Sequence, residues 1–160
     1  MDNPIPPFAV QAGEGIVLET PTGDTAIIKA DTGQTNGSLT VIDDHRTQAR
    51  PGAAHASPRR RTLGRPRGRF QIQDGRGDPA RIHEGGMAFG PRGTPHAFQN
   101  LGDVPGRLLV VTTPSGLEGF FQDFAAQLRT GSVGPETLSE VGRAYGLDFV
   151  GPPVAVSDPL

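Results

Sequence analysis

A chain of 160 residues has room for one hydrophobic core, and its 23 glycines and 16 prolines favour many turns and short strands over long helices. A formal net charge of -2 and a pI of about 6.0 supply no general attraction to nucleic acid or to an anionic membrane, so a small molecule is the expected partner. The absence of cysteine removes disulfides, thiolate metal sites and a cysteine nucleophile together; any metal must sit on nitrogen and oxygen, and a reducing cytoplasm suits the chain.

Met1 to Phe8 holds Asp2 and several prolines, with neither the basic nor the apolar region of a signal peptide, and no window approaches the roughly 20 apolar residues of a membrane span. A cytoplasmic protein with no membrane partner is expected. From Phe8 to Asp43 short apolar runs alternate with turn signals: Gly15 to Leu18, Ala26 to Ile28 and Leu39 to Ile42, divided by Pro21 to Asp24 and Asp31 to Gly33. These predict strands of a meander or barrel.

Between His45 and Arg69 the composition breaks, with eight of the 15 basic residues, no acid, and Leu63 as the only large aliphatic. Such a segment is expected to supply no core strand and to be poorly ordered over about 45–67. It reads either as a solvated basic loop or as a phosphate or nucleic-acid patch around Pro58 to Arg61. A nucleic-acid module would interleave aromatics with the arginines of 59–61 and 65–69, and apart from Phe70 there are none, so no nucleic-acid partner is expected.

Beyond it, Phe70 to Gln73 alternates before the turn at Asp74 and Gly75, and Met87 to Phe89 and Leu108 to Thr112 predict further strands. Gly75 to Gly77 reads as a hairpin turn, because the spacing of a phosphate-binding loop is absent. His83 and Glu84, before a Gly-Gly turn, are expected at a solvent-exposed rim, and Ser115 lacks the flanking glycines of a nucleophile elbow. After Pro114 the period changes: Leu117, Phe120, Phe121, Phe124 and Leu128 recur at helical spacing and stop near Gly131, which predicts a packing face. A second helix is predicted from Pro135 to Gly146. The chain is thus expected to comprise a barrel over 1–114, a helical appendage over 115–150 and a flexible tail over 151–160.

The chemistry concentrates between Gly85 and Asn100. The order is Gly85, five residues, Pro91, one, Gly93, two, His96, three, Asn100. Gly85 permits a tight turn into a strand, Pro91 and Gly93 shape the next turn, and His96 then opens a strand with its imidazole directed inward, where a neutral ring suits a first-row divalent metal. This spacing resembles the second conserved motif of the cupins. The resemblance implies an all-β fold, the double-stranded β-helix or jelly-roll barrel, with one or two C-terminal α-helices, with His96 at a metal-ligand position and Phe70, Phe89 and Phe98 lining the pocket.

Further segments resemble the single-domain cupins similar to quercetin dioxygenase: Gly13 to Gly15, Asp31 to Gly33 with Ser38 to Val41, Leu109 to Thr112 with Pro114, Glu118 to Phe121, and Tyr145 to Pro153. The resemblance covers residues 8–43 and 68–153. It implies a divalent Fe, Mn, Ni, Co, Cu or Zn on three histidines and a glutamate, an enolic or aromatic substrate opened by dioxygen, and pairing as a homodimer. Yet the first motif of that family, His-x-His, four residues, Glu, six residues, Gly, is absent. Counted back from Gly68, its ligand slots hold Ala54, Ala56 and Arg61.

The genetic code offers an account of that gap. With one nucleotide dropped, Ala54 as GCA followed by the C of His55 reads CAC, and Ala56 as GCA followed by T reads CAT; both encode histidine. In the same frame Arg59 to Arg61 can read Glu-Asp-Glu and Gly64 to Gly68 can read Val-Val-Leu-Glu-Gly. Residues from about 45 to 67 are therefore expected to be a frameshifted reading of the missing motif. Three functions stay open: a quercetinase-like dioxygenase, a non-enzymatic barrel that binds or senses a small ligand, and a chain whose metal site is lost as written.

Overall fold

A computed structural model describes residues 4–20, 22–46, 53–56, 59–73, 79–131 and 133–153. In chain order the elements are β1 (Ile16–Glu19), β2 (Thr25–Ala30), β3 (Thr40–Arg46), β4 (Ala53–Ala56), β5 (Arg60–Arg67), β6 (Phe70–Gln73), β7 (Ala80–Ile82), β8 (Met87–Gly90), β9 (Ala97–Asn100), β10 (Gly106–Thr113), α1 (Leu117–Thr130), α2 (Pro135–Ala144) and β11 (Asp148–Pro153). Antiparallel pairing builds a six-stranded sheet in the order β1-β2-β3-β10-β5-β8, a three-stranded sheet β7-β6-β9 and the pair β11-β4. Among the described residues no helix is long and apolar enough to cross a membrane.

The two larger sheets share one core. Along β10 the two-residue period buries Gly106, Leu108, Val110 and Thr112, and the pairing sets Leu108 opposite Asp44 and Val110 between Ile42 and Leu63. These side chains meet Phe70, Ile82 and Phe98 from the three-stranded sheet. Phe70 is fully buried, and a β-carbon at Gly106 would stand 2.6 Å from its Cζ, so glycine at 106 is what lets the ring seat. Truncation by Phe70→Ala is expected to cost about 3–5 kcal/mol, read as a lower denaturant midpoint at unchanged m-value.

Composition misjudged β5. The segment expected to supply no core strand is an interior strand, hydrogen-bonded to β10 on one side and β8 on the other. A strand flanked on both sides needs only its alternate residues inward, and here Arg61 and Leu63 are buried and Arg60 is exposed, while past an irregularity in the pairing with β10 Pro66 is buried and Arg67 exposed. β11 likewise continues to Pro153 by pairing with β4, into the span expected to be a flexible tail over 151–160, of which residues 154–160 lie outside the described residues. So do residues 75–77, where a hairpin turn was expected.

Both predicted helices form. Helix α1 buries Leu117, Phe120, Phe121, Phe124 and Ala125, and Gly131 closes it in the left-handed conformation at φ 76°. Its Glu118 is 6% exposed and ties the helix to the barrel. The carboxylate accepts hydrogen bonds from the hydroxyls of Thr32 and Thr40, and at 2.9 Å from the backbone amides of Thr32 and Gly116. Arg59, just before β5, donates at 2.8 Å to the Ser115 carbonyl and also to the Tyr145 carbonyl. Helix α2 starts with Pro135 in its first turn, and Tyr145, just past its end, donates its hydroxyl to Asp123 of α1.

Candidate functional site

The turn geometry expected on either side of β8 is present: Gly85 before it and Gly93 after it take φ values of 80° and 68°, where only glycine is unstrained. The chain then delivers His96 into the barrel at 3% exposure. Its Nδ1 lies 2.9 Å from the Thr94 carbonyl oxygen, which can only accept, so Nδ1 carries the hydrogen and Nε2 the lone pair of the neutral ring. The ring lies over Gly90, where a β-carbon would come within 3.0 Å of His96 Cε1. Glycine at 90 therefore has a packing reason that spacing alone did not reveal.

Burial, followed by the nearby Arg61 charge, pushes the His96 imidazolium down to about 4 from the ordinary 6.5, against a small opposing effect of the Thr94 carbonyl. The unfolded chain therefore binds a proton between about pH 6.5 and 4 that the folded chain does not. Stability is expected to fall over that window, by about 3 kcal/mol in all. A His96→Asn variant should lose this part of the dependence when unfolding midpoints are compared at pH 7 and pH 4.

Arg61 is the second inward residue of consequence. It stands in β5 between Thr112 of β10 and Gly90 of β8, and is 7% exposed. Burial and the charge of Arg46 lower its pKa to about 10, while the Asp44 carboxylate resists that fall. His96 and Arg61 are thus brought together in one interior. Sequence reading missed their neighbours. Arg46 donates to Asp24 at 3.2 Å, to Asp44 at 3.0 Å and to the Thr22 hydroxyl at 3.0 Å, and its guanidinium lies 4.6 Å from the centroid of the Phe98 ring. The signal was available: Ile42, Asp44 and Arg46 continue one period of two, which places both charged residues on the face that Ile42 buries.

The expected pocket-lining aromatics divide. Phe98 is 5% exposed and faces Arg46, and Phe70 is packed under Gly106. Phe89 does not line the interior: it is 54% exposed, because the pairing that turns Ala88 toward Leu63 and Gly90 toward Arg61 leaves Met87 and Phe89 on the outer face of β8. Asn100, the last residue of the motif, is a staple. It donates at 2.9 Å to the Val104 carbonyl and accepts at 2.9 Å from the Gly102 amide, closing the loop into β10. His83 and Glu84 are exposed at a turn, as expected, and Ser115 bonds to the Thr32 hydroxyl rather than to any base.

A second charged group lies on β3 and β10 away from that interior. Asp43, 1% exposed, accepts from Arg107 and sits 3.2 Å from His45 Nε2. Burial alone would raise its pKa, but hydrogen bonds from Arg107 and His45 carry it below the ordinary value.

The residues present do not fit the metal that the resemblance implies. Among the described residues no three histidine or carboxylate side chains gather as a ligand set. Position 54 and position 56 carry alanine, and position 61 brings a guanidinium, whose positive charge opposes a divalent cation beside His96.

No protein-family model matches the chain, and no curated protein matches it. Solved structures do. An RmlC-like cupin from Shewanella frigidimarina superposes with a TM-score of 0.58 at 16% identity, over 70% of this chain and 96% of its own. A Klebsiella pneumoniae protein with a double-stranded β-helix domain gives 0.52 at 19%, over 61% and 82%. A cupin-superfamily sugar phosphate isomerase from Silicibacter pomeroyi gives 0.52 at 18%, over 66% and 74%. At such identities the likeness concerns architecture, and the antiparallel sheets, the shared core and these neighbours together identify the fold as the all-β double-stranded β-helix of the cupins, carrying two C-terminal helices.

Proposed function

We propose that the reading frame behind this chain encodes a metal-dependent, quercetinase-like cupin for a small enolic or aromatic substrate, and that the chain as it stands is the same barrel without its metal. One observation carries the reading: Arg61 of β5, in the slot where the family resemblance requires a glutamate, is buried in the interior that also holds His96. An arginine-rich segment of foreign composition has no physical reason to adopt the inner strand of a barrel unless the rest of the chain leaves that strand's place open. β10 and β8 flank it on either side and pair with its backbone.

Two measurements test the reading. Resequencing the locus is expected to show compensating insertions or deletions near codons 45 and 67; a clean single frame shared by independent isolates overturns it. Metal analysis of the purified chain is expected to find far less than one divalent ion per chain, and stoichiometric metal would remove the second half of the proposal.

A further inference from the structure

We infer that two copies of this chain pair through the outer face of the six-stranded sheet, with Phe89 of each copy seated in a groove of the other. The inference goes beyond the proposed function and does not depend on whether the barrel holds metal. Its basis is the make-up of that face. The side of an antiparallel sheet that meets water is normally polar. Here the register sets Val41 opposite Val111, Val111 opposite Thr62 and Thr62 opposite Phe89, one row of outward side chains across β3, β10, β5 and β8. The next row adds Leu109 and Met87 on either side of Gly64. Val41, Thr62, Leu109 and Val111 are partly exposed, and Met87 and Phe89 on the edge strand are 68% and 54% exposed. The carboxylate in these rows, Asp43, is already held by Arg107 and His45. A contiguous apolar surface of this kind marks a place where another molecule sits.

The shape of the row says which molecule. At its β3 end lies a groove of about 430 Å³, walled by Ile5, Phe8 and Val10 of the N-terminal segment and by Leu39 and Val41. Lys29, also at its wall, donates to the carbonyls of Gln11 and Glu14, which take up its charge. At the β8 end the Phe89 ring projects. A twofold axis along the strands, midway between β10 and β5, sets β8 of one copy over β3 of the other and β5 over β10. Each Phe89 then meets the other copy's groove, and Val111 meets Thr62. The exchange is reciprocal, so the pair is closed and leaves neither ring nor groove unused. An unrelated partner would have to offer both a ring and a groove at the same separation. The strands β3, β10, β5 and β8 span a plane of roughly 400 Å² at ~3.3 Å per residue and ~4.8 Å per strand. Side-chain relief and the segment from Ile5 to Val10 bring that toward the about 800 Å² per partner of a stable dimer. Arg60 and Arg67 are exposed beyond the two rows, at what becomes the polar rim.

Sedimentation equilibrium of the full chain over about 1 to 100 μM is expected to show a dimer with a Kd of about 10 μM or tighter. Phe89→Glu places a charge at an exposed site, so it should keep the parent circular dichroism spectrum and weaken pairing about thirtyfold or more. Phe8→Lys, in the wall of the groove, should do the same from the other side of the contact. Val150→Glu, equally exposed but on β11, is expected to pair like the parent. The reciprocal seat makes a sharper demand. A mixture of Phe89→Glu with Phe8→Lys chains should associate again, because a mixed pair retains one native contact and opposes glutamate to lysine in the other. A parent that stays monomeric at the highest concentration would leave the face to some other partner and overturn the inference. So would a Phe89→Glu chain that pairs as the parent does, or a mixture that stays monomeric.

Discussion

A variant carrying Ala54→His, Ala56→His and Arg61→Glu is expected to bind one divalent transition metal per chain at micromolar Kd or tighter, where the parent binds none at that level. The parent offers His96 as a single imidazole beside a guanidinium. A millimolar site is worth about 4 kcal/mol and a micromolar one about 8 kcal/mol, so each added ligand has to contribute only a little over 1 kcal/mol on average. Exchanging Arg61 for glutamate changes the charge in the interior by two units, which helps more than either histidine alone. Single exchanges are therefore expected to give little, and the effect is cooperative. The two new histidines enter on β4, whose backbone lies against β9, the strand that follows His96. Titration with Ni²⁺ or Co²⁺, followed by elemental analysis after gel filtration, reads the outcome; a triple variant that folds but elutes without metal rejects the assignment of those slots.

Glu118→Ala is expected to destabilise the whole chain by about 3 kcal/mol. The carboxylate is the common acceptor for two hydroxyls and two backbone amides drawn from the loop after β2, the start of β3 and the entry to α1. Deleting it strands buried donors, each worth about 1–3 kcal/mol, with partial rescue by entering water. Burial pushes the Glu118 carboxyl up, but the hydrogen bonds from Thr32, Thr40 and the backbone outweigh that and leave its pKa below the ordinary 4.5. A depressed carboxylate contributes stability above its unfolded pKa, and that stability is lost as the pH falls through the folded value. Glu118→Gln should therefore flatten the acid limb of the stability profile below about pH 4.5, apart from the His96 component at higher pH. A variant with the parent profile there would dismiss the clamp as an energetic element.

What could be read without coordinates followed the strength of local signals. The period of two in β6 and β10, the phenylalanine stripe of α1 and the turn glycines around Pro91 each declare their structure through neighbours a few residues apart. His96 was legible for the same reason, since its spacing from Gly85 and Pro91 fixes both the turn and the face. β5 was not legible because the property that makes it a strand lies elsewhere: its partners β8 and β10 are 20 or more residues away, and pairing satisfies its backbone whatever its side chains. Phe89 was misplaced for a smaller reason, a parity error of one residue, which on a strand exchanges inside for outside. The ion-pair network of Asp24, Asp44 and Arg46 escaped because charged residues at the end of β3 looked like the start of the basic segment.

The packing of α1 has a consequence for how the molecule comes apart. Leu117, Phe120 and Phe121 belong to the same buried cluster as Ile42, Leu63 and Val110, with Leu147 beyond α2 joining them. Helices and barrel therefore lack the separate interiors that would let either melt first, and they should unfold as one cooperative unit, with a calorimetric enthalpy equal to the van't Hoff value. A cut after Pro114 would leave the sheets with a bare apolar wall in place of a finished surface.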